Sequence, residues 1–385
     1  MSPLNYLDEV RQGYNLPGKV KIHDITLRDG EQETGVALRK DEKVRIAEAL
    51  AEVGVHRIEA GMPAVSKQDA DAIREIVKRD LGPEIFGFCR CMVDDITLAH
   101  DCGVSGVVVE IPSSEHIIEY GYQWPLEKAI DLSVKATSYA HELGLYVVFF
   151  TIDATRASFD WLLQIIERVA AEGHMDALAL VDTRGVAHTP AIRHYVRTMK
   201  ARLQKPLEAH FHNDFGLAMA NALAALEAGV EVVDATLNGW GDRTGNPPPE
   251  EVAAALQFLY GACPELDVAG LAVLAKEAGS GRAADQADHR GGRLRAQAGD
   301  ARQGRAQLPA GVRGLRPRAG RGGKACRHRS VQRPQRHPRT PSLHRPLVRR
   351  DHAATPDHRR PGGRAPHEPR AVRQGLARDR HRVGC

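Results

Sequence analysis

The sequence predicts an α/β protein whose residues 1–275 form a (β/α)8 TIM barrel, followed by a basic tail over residues 281–385. Short β-branched apolar runs alternate with longer amphipathic segments, which is typical of a parallel sheet covered by helices. Eight such units fit into about 240 residues, the usual size of one closed barrel. An open doubly wound sheet is the alternative, but it usually has fewer strands and a glycine-rich first turn. No GxGxxG motif follows the first strand, so the barrel is favoured.

Each predicted strand is a short apolar run that is rich in β-branched or aromatic residues and bounded by turn-forming residues. In chain order, the strands are Val20–Thr26, His56–Gly61, Glu84–Cys89, Gly106–Pro112, Leu145–Asp153, Ala177–Thr183, Leu207–Asn213 and Glu231–Gly239. The helical patterns between them cover residues 40–53, 66–80, 94–102, 126–143, 158–173, 189–203, 217–228 and 249–260. In this fold the active site forms at the C-terminal ends of the strands, so polar residues there are the functional candidates.

The composition is that of a soluble globular protein, with 42% hydrophobic and 26% charged residues. The longest apolar stretches are too short to span a bilayer, and the first twenty residues lack the pattern of a secretory signal. The six cysteines form no CxxC pair, which favours reduced thiols over disulfides or a zinc site. We therefore expect a cytoplasmic protein without a membrane segment.

Residues 281–385 differ in composition from the rest of the chain. They contain 26 Arg and one Lys against six Asp and one Glu, a net charge of +20, whereas residues 1–280 carry a net charge of −16. They lack Ile, Phe, Tyr, Trp, Met and Asn, so they cannot bury a core. A disordered arm that binds nucleic acid is one interpretation. Enrichment in residues with GC-rich codons instead favours out-of-frame translation, so we do not expect a folded domain or a nucleic-acid partner.

Two histidines on the predicted seventh strand are candidate metal ligands. His210 and His212 are two positions apart, so both side chains lie on the same face of the strand. If that face is the barrel lumen, the two imidazoles converge at its mouth. An HxH pair alone is a weak signal, because a pair of core histidines has the same spacing.

The first strand ends in a second polar motif that contains Arg28 and Asp29. In a closed barrel the first strand neighbours the eighth and lies close to the seventh, so Asp29 can reach the two histidines. Two imidazoles and a carboxylate suit Zn, Mn, Fe(II) or Co, and with further oxygen ligands also Mg. Arg28 keeps its charge at any physiological pH and suits a developing enolate or alkoxide. A surface ion pair between these two residues is the alternative.

The loop after the eighth strand is rich in glycine, with Gly239, Gly241 and Gly245. Such a loop lets the backbone approach a ligand closely. Asn246, which follows these glycines, is a further candidate metal ligand through its side-chain oxygen.

Two longer motifs resemble a known enzyme family. Residues 27–32, Leu-Arg-Asp-Gly-Glu-Gln, followed by Lys43, resemble one signature of the α-isopropylmalate and homocitrate synthases. Residues 207–220, with His210, His212, Asn213 and Asp214, resemble the other. These synthases belong to the DRE-TIM metallolyases, which also include citramalate synthases and hydroxymethylglutaryl-CoA lyases. The resemblance covers residues from about 20 to about 275.

The resemblance implies an acyltransferase that converts the acyl group into an alkyl group on transfer. Acetyl-CoA would condense with a 2-oxo acid in a metal-dependent Claisen-type reaction that yields a 2-hydroxy-dicarboxylate and CoA. A hydroxymethylglutaryl-CoA-lyase-like activity, or condensation on an unusual 2-oxo acid such as a phosphorus-containing one, is the alternative. The resemblance also implies a homodimer. The implied metal ligands are Asp29, His210, His212 and Asn246, the catalytic residues are Arg28 and Glu59, and the substrate-binding residues are Arg28, Thr183, Gln32 and His116.

The chain departs from the family pattern at three places, which leaves the 2-oxo acid and the metal open. Many synthases have a glutamate where Ile152 stands, and Arg184 replaces a small apolar residue. The synthases also place a histidine and a tyrosine from the region after the barrel into the partner's site, and the basic tail occupies that region here. We expect weak or absent synthase activity from the chain with this tail. A capping role for Thr183 and an orienting role for Glu59 are the alternatives to substrate and catalytic roles.

Overall fold

A computed structural model describes residues 1–280, which contain eight parallel strands. The strands are β1 (Lys21–Asp24), β2 (Arg57–Glu59), β3 (Glu84–Arg90), β4 (Gly106–Pro112), β5 (Tyr146–Ile152), β6 (Ala177–Asp182), β7 (Leu207–Phe211) and β8 (Val232–Ala235). Each strand pairs with the next, and β8 pairs with β1, so the sheet is a closed barrel. The predicted (β/α)8 fold is confirmed.

A helix follows each strand and packs on the outside of the barrel. Within the described residues, the helices are α1 (Asp8–Arg11), α2 (Lys40–Glu52), α3 (Lys67–Lys78), α4 (Val93–Asp101), α5 (Leu126–Glu142), α6 (Phe159–Glu172), α7 (Thr189–Arg202), α8 (Ala218–Ala228), α9 (Pro249–Ala255) and α10 (Val268–Ser280). Helices α2 to α8 agree with the predicted segments to within two residues at each end. The predicted eighth helix extends further than α9, because residues Leu256–Tyr260 continue as one π-helical turn.

Side chains alternate between two buried environments along each strand. On β4, Val107 and Val109 pack in the main core between sheet and helices, whereas Val108 packs in the smaller cluster that fills the barrel lumen. The lumen cluster also contains Phe86 and Phe88 of β3. Residues two positions apart therefore share a face, and lumen-facing residues near the strand ends point towards the barrel mouth.

The predicted extent of the eighth strand, Glu231–Gly239, is wrong at its C-terminal end. Strand β8 ends at Ala235, and Leu237–Gly239 form a short 3-10 turn. The backbone leaves the sheet because Thr236 N–H bonds to the Pro247 carbonyl and Asn238 adopts a left-handed conformation with φ 59°. This turn brings the glycine-rich loop back over the barrel mouth.

Three further sequence predictions concern the basic tail, the cysteines and a membrane span. The basic tail, residues 281–385, lies outside the described residues, and so do Cys326 and Cys385. The other four cysteines are free and buried, in agreement with the reduced thiols that were predicted. Among the described helices, none combines the length and the apolar character that a membrane span requires.

Candidate active site

Three candidate metal ligands, which come from the first and seventh strand segments, meet at the mouth of the barrel. Asp29 follows β1, His210 belongs to β7, and His212 follows that strand. Their ligand atoms all lie within 4.8 Å of one another, and each residue is at most 4% exposed. The Nε2 atoms of the two histidines are 3.4 Å apart. Barrel closure therefore brings together the carboxylate and the imidazoles that sequence spacing singled out.

A fourth residue orients one of these histidines. Asp234 on β8 accepts a hydrogen bond from Nδ1 of His210 at 2.9 Å, which leaves Nε2 of His210 free to bind a cation. Burial opposes ionisation of Asp234, but hydrogen bonds from His210 and His23 hold the pKa of its carboxyl below the ordinary value. A carboxylate on the far nitrogen also makes the imidazole a more basic ligand.

The charge states of the group suit a divalent metal. Burial and the neighbouring His210 lower the pKa of His212 to about 4, so its imidazole is neutral at physiological pH. For Asp29, burial raises the pKa, but Arg28 and the two histidines outweigh it and keep the carboxyl ionised. Two imidazoles and one carboxylate are a common donor set for divalent transition metals. The residues therefore fit such an ion.

Arg28 presents one unpaired donor beside this group. Its Nε donates to Glu59, its Nη1 donates to Oδ1 of Asp29 at 2.8 Å, and its guanidinium carbon lies 4.0 Å from the centre of the Phe88 ring. Its Nη2 is buried without a hydrogen-bond partner. A buried cationic N–H that lacks a partner is suited to donate to a substrate oxygen.

The glycine-rich loop closes over Asp29. Asn246 donates from Nδ2 to Asp29 and to the Trp240 carbonyl, while its Oδ1 is buried without a partner. Gly241 has φ +146°, and a Cβ there would lie 2.7 Å from Oδ2 of Asp29. The close approach therefore requires glycine at this position. Asn246 lies next to the metal candidates, and its role as a ligand stays a prediction.

Thr183 and Glu59 make protein contacts that bear on their predicted roles. Thr183 Oγ1 accepts from the backbone N–H of Asp153 at 2.8 Å, so its hydroxyl proton is available to a ligand. Glu59 is buried and accepts from Arg28. Burial raises the pKa of Glu59, and the charge of Arg28 partly offsets the rise. Whether either residue acts on a substrate stays a prediction.

The other two predicted substrate-binding residues, Gln32 and His116, are exposed. Gln32 ends a short 3-10 turn and lines, with Arg28, a cavity of about 480 Å³ beside the ends of β1 and β2. His116 begins the π-helical segment after β4, with its ring 6.0 Å from that of Tyr120. Their predicted substrate roles are not tested by these contacts.

The end of β5 lacks the free carboxylate that many synthases have in this segment. Ile152 replaces a glutamate, and the adjacent Asp153 is fully buried in an ion pair. Arg156 donates to both oxygens of Asp153 at 2.6 and 2.7 Å, and Ser114 donates to one of them at 2.5 Å. Arg184, the other departure, is exposed.

Below the candidate metal ligands lies a buried charged cluster that sequence reasoning missed. Nδ1 of His23 is 3.5 Å from both Glu208 and Asp234, and Arg57 donates to Glu208 at 2.5 Å. Burial disfavours a charged His23, but hydrogen bonds to Asp234 and Glu208 raise its pKa to about 9. The alternation of polar and apolar residues along β1, β7 and β8 is the sequence signal that could have revealed this cluster.

Comparison with known proteins now identifies the family. The family model described as HMGL-like matches residues 19–276, about two thirds of the chain. The chain belongs to the HMGL-like family. The homocitrate synthase of Methanopyrus kandleri is 38% identical over 272 residues, which are 71% of this chain and 68% of that protein. The 2-isopropylmalate synthase of Methanocaldococcus jannaschii is 41% identical over 65% of this chain and 48% of its own length.

These HMGL-like relatives confirm the predicted resemblance to the isopropylmalate and homocitrate synthases and the predicted enzyme class. The chain spans about half the length of the isopropylmalate synthase. Among solved structures, the hydroxymethylglutaryl-CoA lyase of Pseudomonas aeruginosa has a TM-score of 0.63 at 23% identity, over 74% of this chain and 99% of that one. At this identity, the similarity is one of fold.

Proposed function

We propose that this protein catalyses a metal-dependent Claisen-type condensation of acetyl-CoA with a 2-oxo acid, yielding a 2-hydroxy-dicarboxylate and CoA. The observation that carries the proposal is the convergence of Asp29, His210 and His212 beside the unpaired Nη2 of Arg28. The synthases named above support the substrate class, because homocitrate and isopropylmalate are both 2-hydroxy acids with at least one further carboxylate.

We assign metal binding to Asp29, His210 and His212, with Asn246 beside them. When bound, a divalent ion supplies a Lewis acid for a carbonyl oxygen. The unpartnered Oδ1 of Asn246 and the neutral state of His212 support this assignment. Mg, Mn, Zn and Co are all candidates for such a donor set.

Arg28 is the proposed donor to the keto oxygen. Its Nη2 is buried without a hydrogen-bond partner, so it can hydrogen-bond to the oxygen on which negative charge develops during carbon–carbon bond formation. Glu59 accepts from Nε of the same guanidinium, and we propose that it fixes the orientation of Arg28. Thr183, Gln32 and His116 remain proposed substrate-binding residues, of which Thr183 has a free hydroxyl proton.

A carbon–carbon lyase is the second candidate function. The similarity to the lyase structure supports it at the level of fold. The synthase reaction is favoured, because the synthase relatives share 38% and 41% identity with the chain. The two activities use the same carbonyl chemistry in opposite directions, so one set of assays can separate them.

The test is release of CoA from acetyl-CoA by the full 385-residue chain, measured with a thiol reagent across a panel of 2-oxo acids. Because the basic tail stands where the synthases supply a histidine and a tyrosine to the partner's site, we expect release that is slow but faster than without the protein. Each acid is tested with Mg²⁺, Mn²⁺, Zn²⁺ or Co²⁺ and after removal of metal with EDTA. Release that needs both an oxo acid and a metal supports the proposal. Cleavage of hydroxymethylglutaryl-CoA without any condensation would favour the lyase. The same preparation, measured by sedimentation, tests the homodimer that we also propose.

A further inference from the structure

We propose that Glu110 on β4 is the acid–base residue that moves the proton during carbon–carbon bond formation. The inference rests on the proposed condensation, and it assigns a role to a residue that neither sequence motif contains. The observations that carry it are the position of Glu110 at the barrel mouth and the lack of a partner for its carboxylate.

The strand register places Glu110 above the aromatic floor of the mouth. Glu110 lies two positions beyond Val108, which packs in the lumen, so both side chains share the lumen face. Its neighbours in register are Arg90 on β3 and Phe150 on β5. Phe88, which pairs with Val108, packs edge-to-face on Phe150 with ring centres 5.5 Å apart.

The same two aromatic rings contact the candidate catalytic group. Arg28 lies over the Phe88 ring at 4.0 Å, and the Phe150 ring packs against His210 with centres 4.9 Å apart. Glu110 comes from the strand between those two phenylalanines. Its carboxylate therefore faces the space that Arg28 and His210 border.

Glu110 is half-buried. Among residues 1–280 its side chain forms no hydrogen bond or ion pair, and Arg28 and Arg90 act on it only through their charge. The other carboxylates near the strand ends are engaged in protein contacts. Asp29 and Glu59 bind Arg28, and Asp153 binds Arg156. A carboxylate without a partner can accept a proton from a substrate and return it.

The charges around Glu110 suit proton transfer near neutral pH. Burial raises the pKa of Glu110 to about 7, with Arg28 and Arg90 opposing the rise and Asp95 and Glu59 adding to it. On β5, the residues in register nearby are the apolar Phe150 and Ile152. General acid–base catalysis is most efficient when the pKa lies near the working pH.

The proposed step balances without an additional reagent. The Glu110 carboxylate takes a proton from the methyl carbon of acetyl-CoA, and the C–H electron pair becomes the thioester enolate. The enolate carbon bonds to the keto carbon of the 2-oxo acid, and the C=O π electrons move to the oxygen. That oxygen, hydrogen-bonded to Nη2 of Arg28, takes the proton from Glu110, which regenerates the carboxylate. Hydrolysis of the thioester by water then releases CoA.

The experiment measures exchange of the acetyl-CoA methyl protons with D₂O, catalysed by the full chain with Mn²⁺, with and without pyruvate. Mass spectrometry follows the deuterium content of acetyl-CoA and of the product. We expect Glu110→Gln to slow exchange and CoA release by about 10²-fold or more, the size of a general-base effect. Its thermal midpoint and Mn²⁺ affinity should match those of the wild type, because Glu110 has no partner to lose.

Glu119→Gln is the matched control, because Glu119 is an exposed glutamate in the segment that follows the same strand. It should exchange at the wild-type rate. The wild-type exchange rate should rise as the pH passes about 7, and Glu110→Gln should lose that rise. If the Glu110→Gln variant exchanges the methyl protons at the wild-type rate, the role of Glu110 is overturned and the proposed condensation is not. A wild type that neither exchanges protons nor releases CoA with any oxo acid would overturn both proposals.

Discussion

Replacement of Asp234 by asparagine separates the effect of Asp234 on the proposed metal ligand His210 from its effect on the fold. Asp234 contacts two imidazoles: His210 at 2.9 Å, whose Nε2 faces the candidate metal site, and His23 at 3.5 Å, within the barrel. The substitution keeps the shape of the side chain and removes its negative charge. Both contacts therefore weaken without a change in packing volume.

Two magnitudes follow from these contacts. Loss of a carboxylate that orients a ligating histidine lowers metal affinity by about 10- to 100-fold, or about 1.4 to 2.7 kcal/mol. Removal of one partner from a buried charged group costs up to about 3 to 5 kcal/mol of stability. We expect the stability loss to lie towards the lower end of that range, because Glu208 still faces His23.

The assays are calorimetric titration with Mn²⁺ and urea unfolding in EDTA, both at pH 7.5. Asp131→Asn is the control, because Asp131 lies on the exposed face of α5. The control should match the wild type in both assays. A folded Asp234→Asn protein that binds Mn²⁺ within twofold of the wild type would show that Asp234 does not orient a metal ligand.

Three further predictions follow from the same region. His212→Ala should abolish tight Mn²⁺ binding in calorimetry and CoA release, and binding at wild-type affinity would remove His212 from the ligand set. Arg28→Lys should lower kcat for CoA release by about 10²-fold, because the single nitrogen of an ammonium group cannot reach Glu59, Asp29 and a substrate oxygen as the three guanidinium nitrogens can. The pKa of His23 is raised from 6.5 to about 9, so its pairing stabilises the fold fully below pH 6.5. That contribution, on the order of 3 kcal/mol, should disappear as the pH rises to 9. Urea unfolding across this range should show a smaller decline for His23→Gln than for the wild type.

The sequence was sufficient for the fold and for the convergence of the candidate ligands. Two-residue spacing on a strand predicts that His210 and His212 share a face, and barrel closure brings Asp29 to them. The spacing gives no information about which face of a strand is the lumen. His23 and Asp24 are adjacent, polar and buried, yet His23 joins the buried charged cluster with Glu208 and Asp234, and Asp24 accepts a local bond from Thr26.

The predicted strand 8 was too long because its end depends on a tertiary contact that local sequence does not show. Residues 236–239 have the composition of a strand end, but a tertiary hydrogen bond from Thr236 to the Pro247 carbonyl turns the backbone away. The positions of residues distant in the sequence also determine which side chains contact Asp234 and leave the Glu110 carboxylate without a hydrogen-bond partner. Local patterns do not contain that information, so these two residues became candidates only in the closed barrel.

The distribution of charge in the lumen bears on the substrate class. In the lower cluster, Arg57 and a protonated His23 balance Glu208 and Asp234, so this layer is neutral.

At the mouth, Arg28 balances Glu59, which leaves the charge of Asp29 uncompensated beside the two imidazoles. Glu110 adds no charge to this layer when it carries a proton. A divalent cation would change the net charge of this layer from −1 to +1. The mouth would then attract an anion, and the neutral lower cluster would not oppose it. A 2-oxo acid carries a carboxylate next to its keto group, so its charge complements the loaded site. Charge complementarity therefore favours anionic oxo acids over neutral ketones as condensation partners, in agreement with the class of product that we propose.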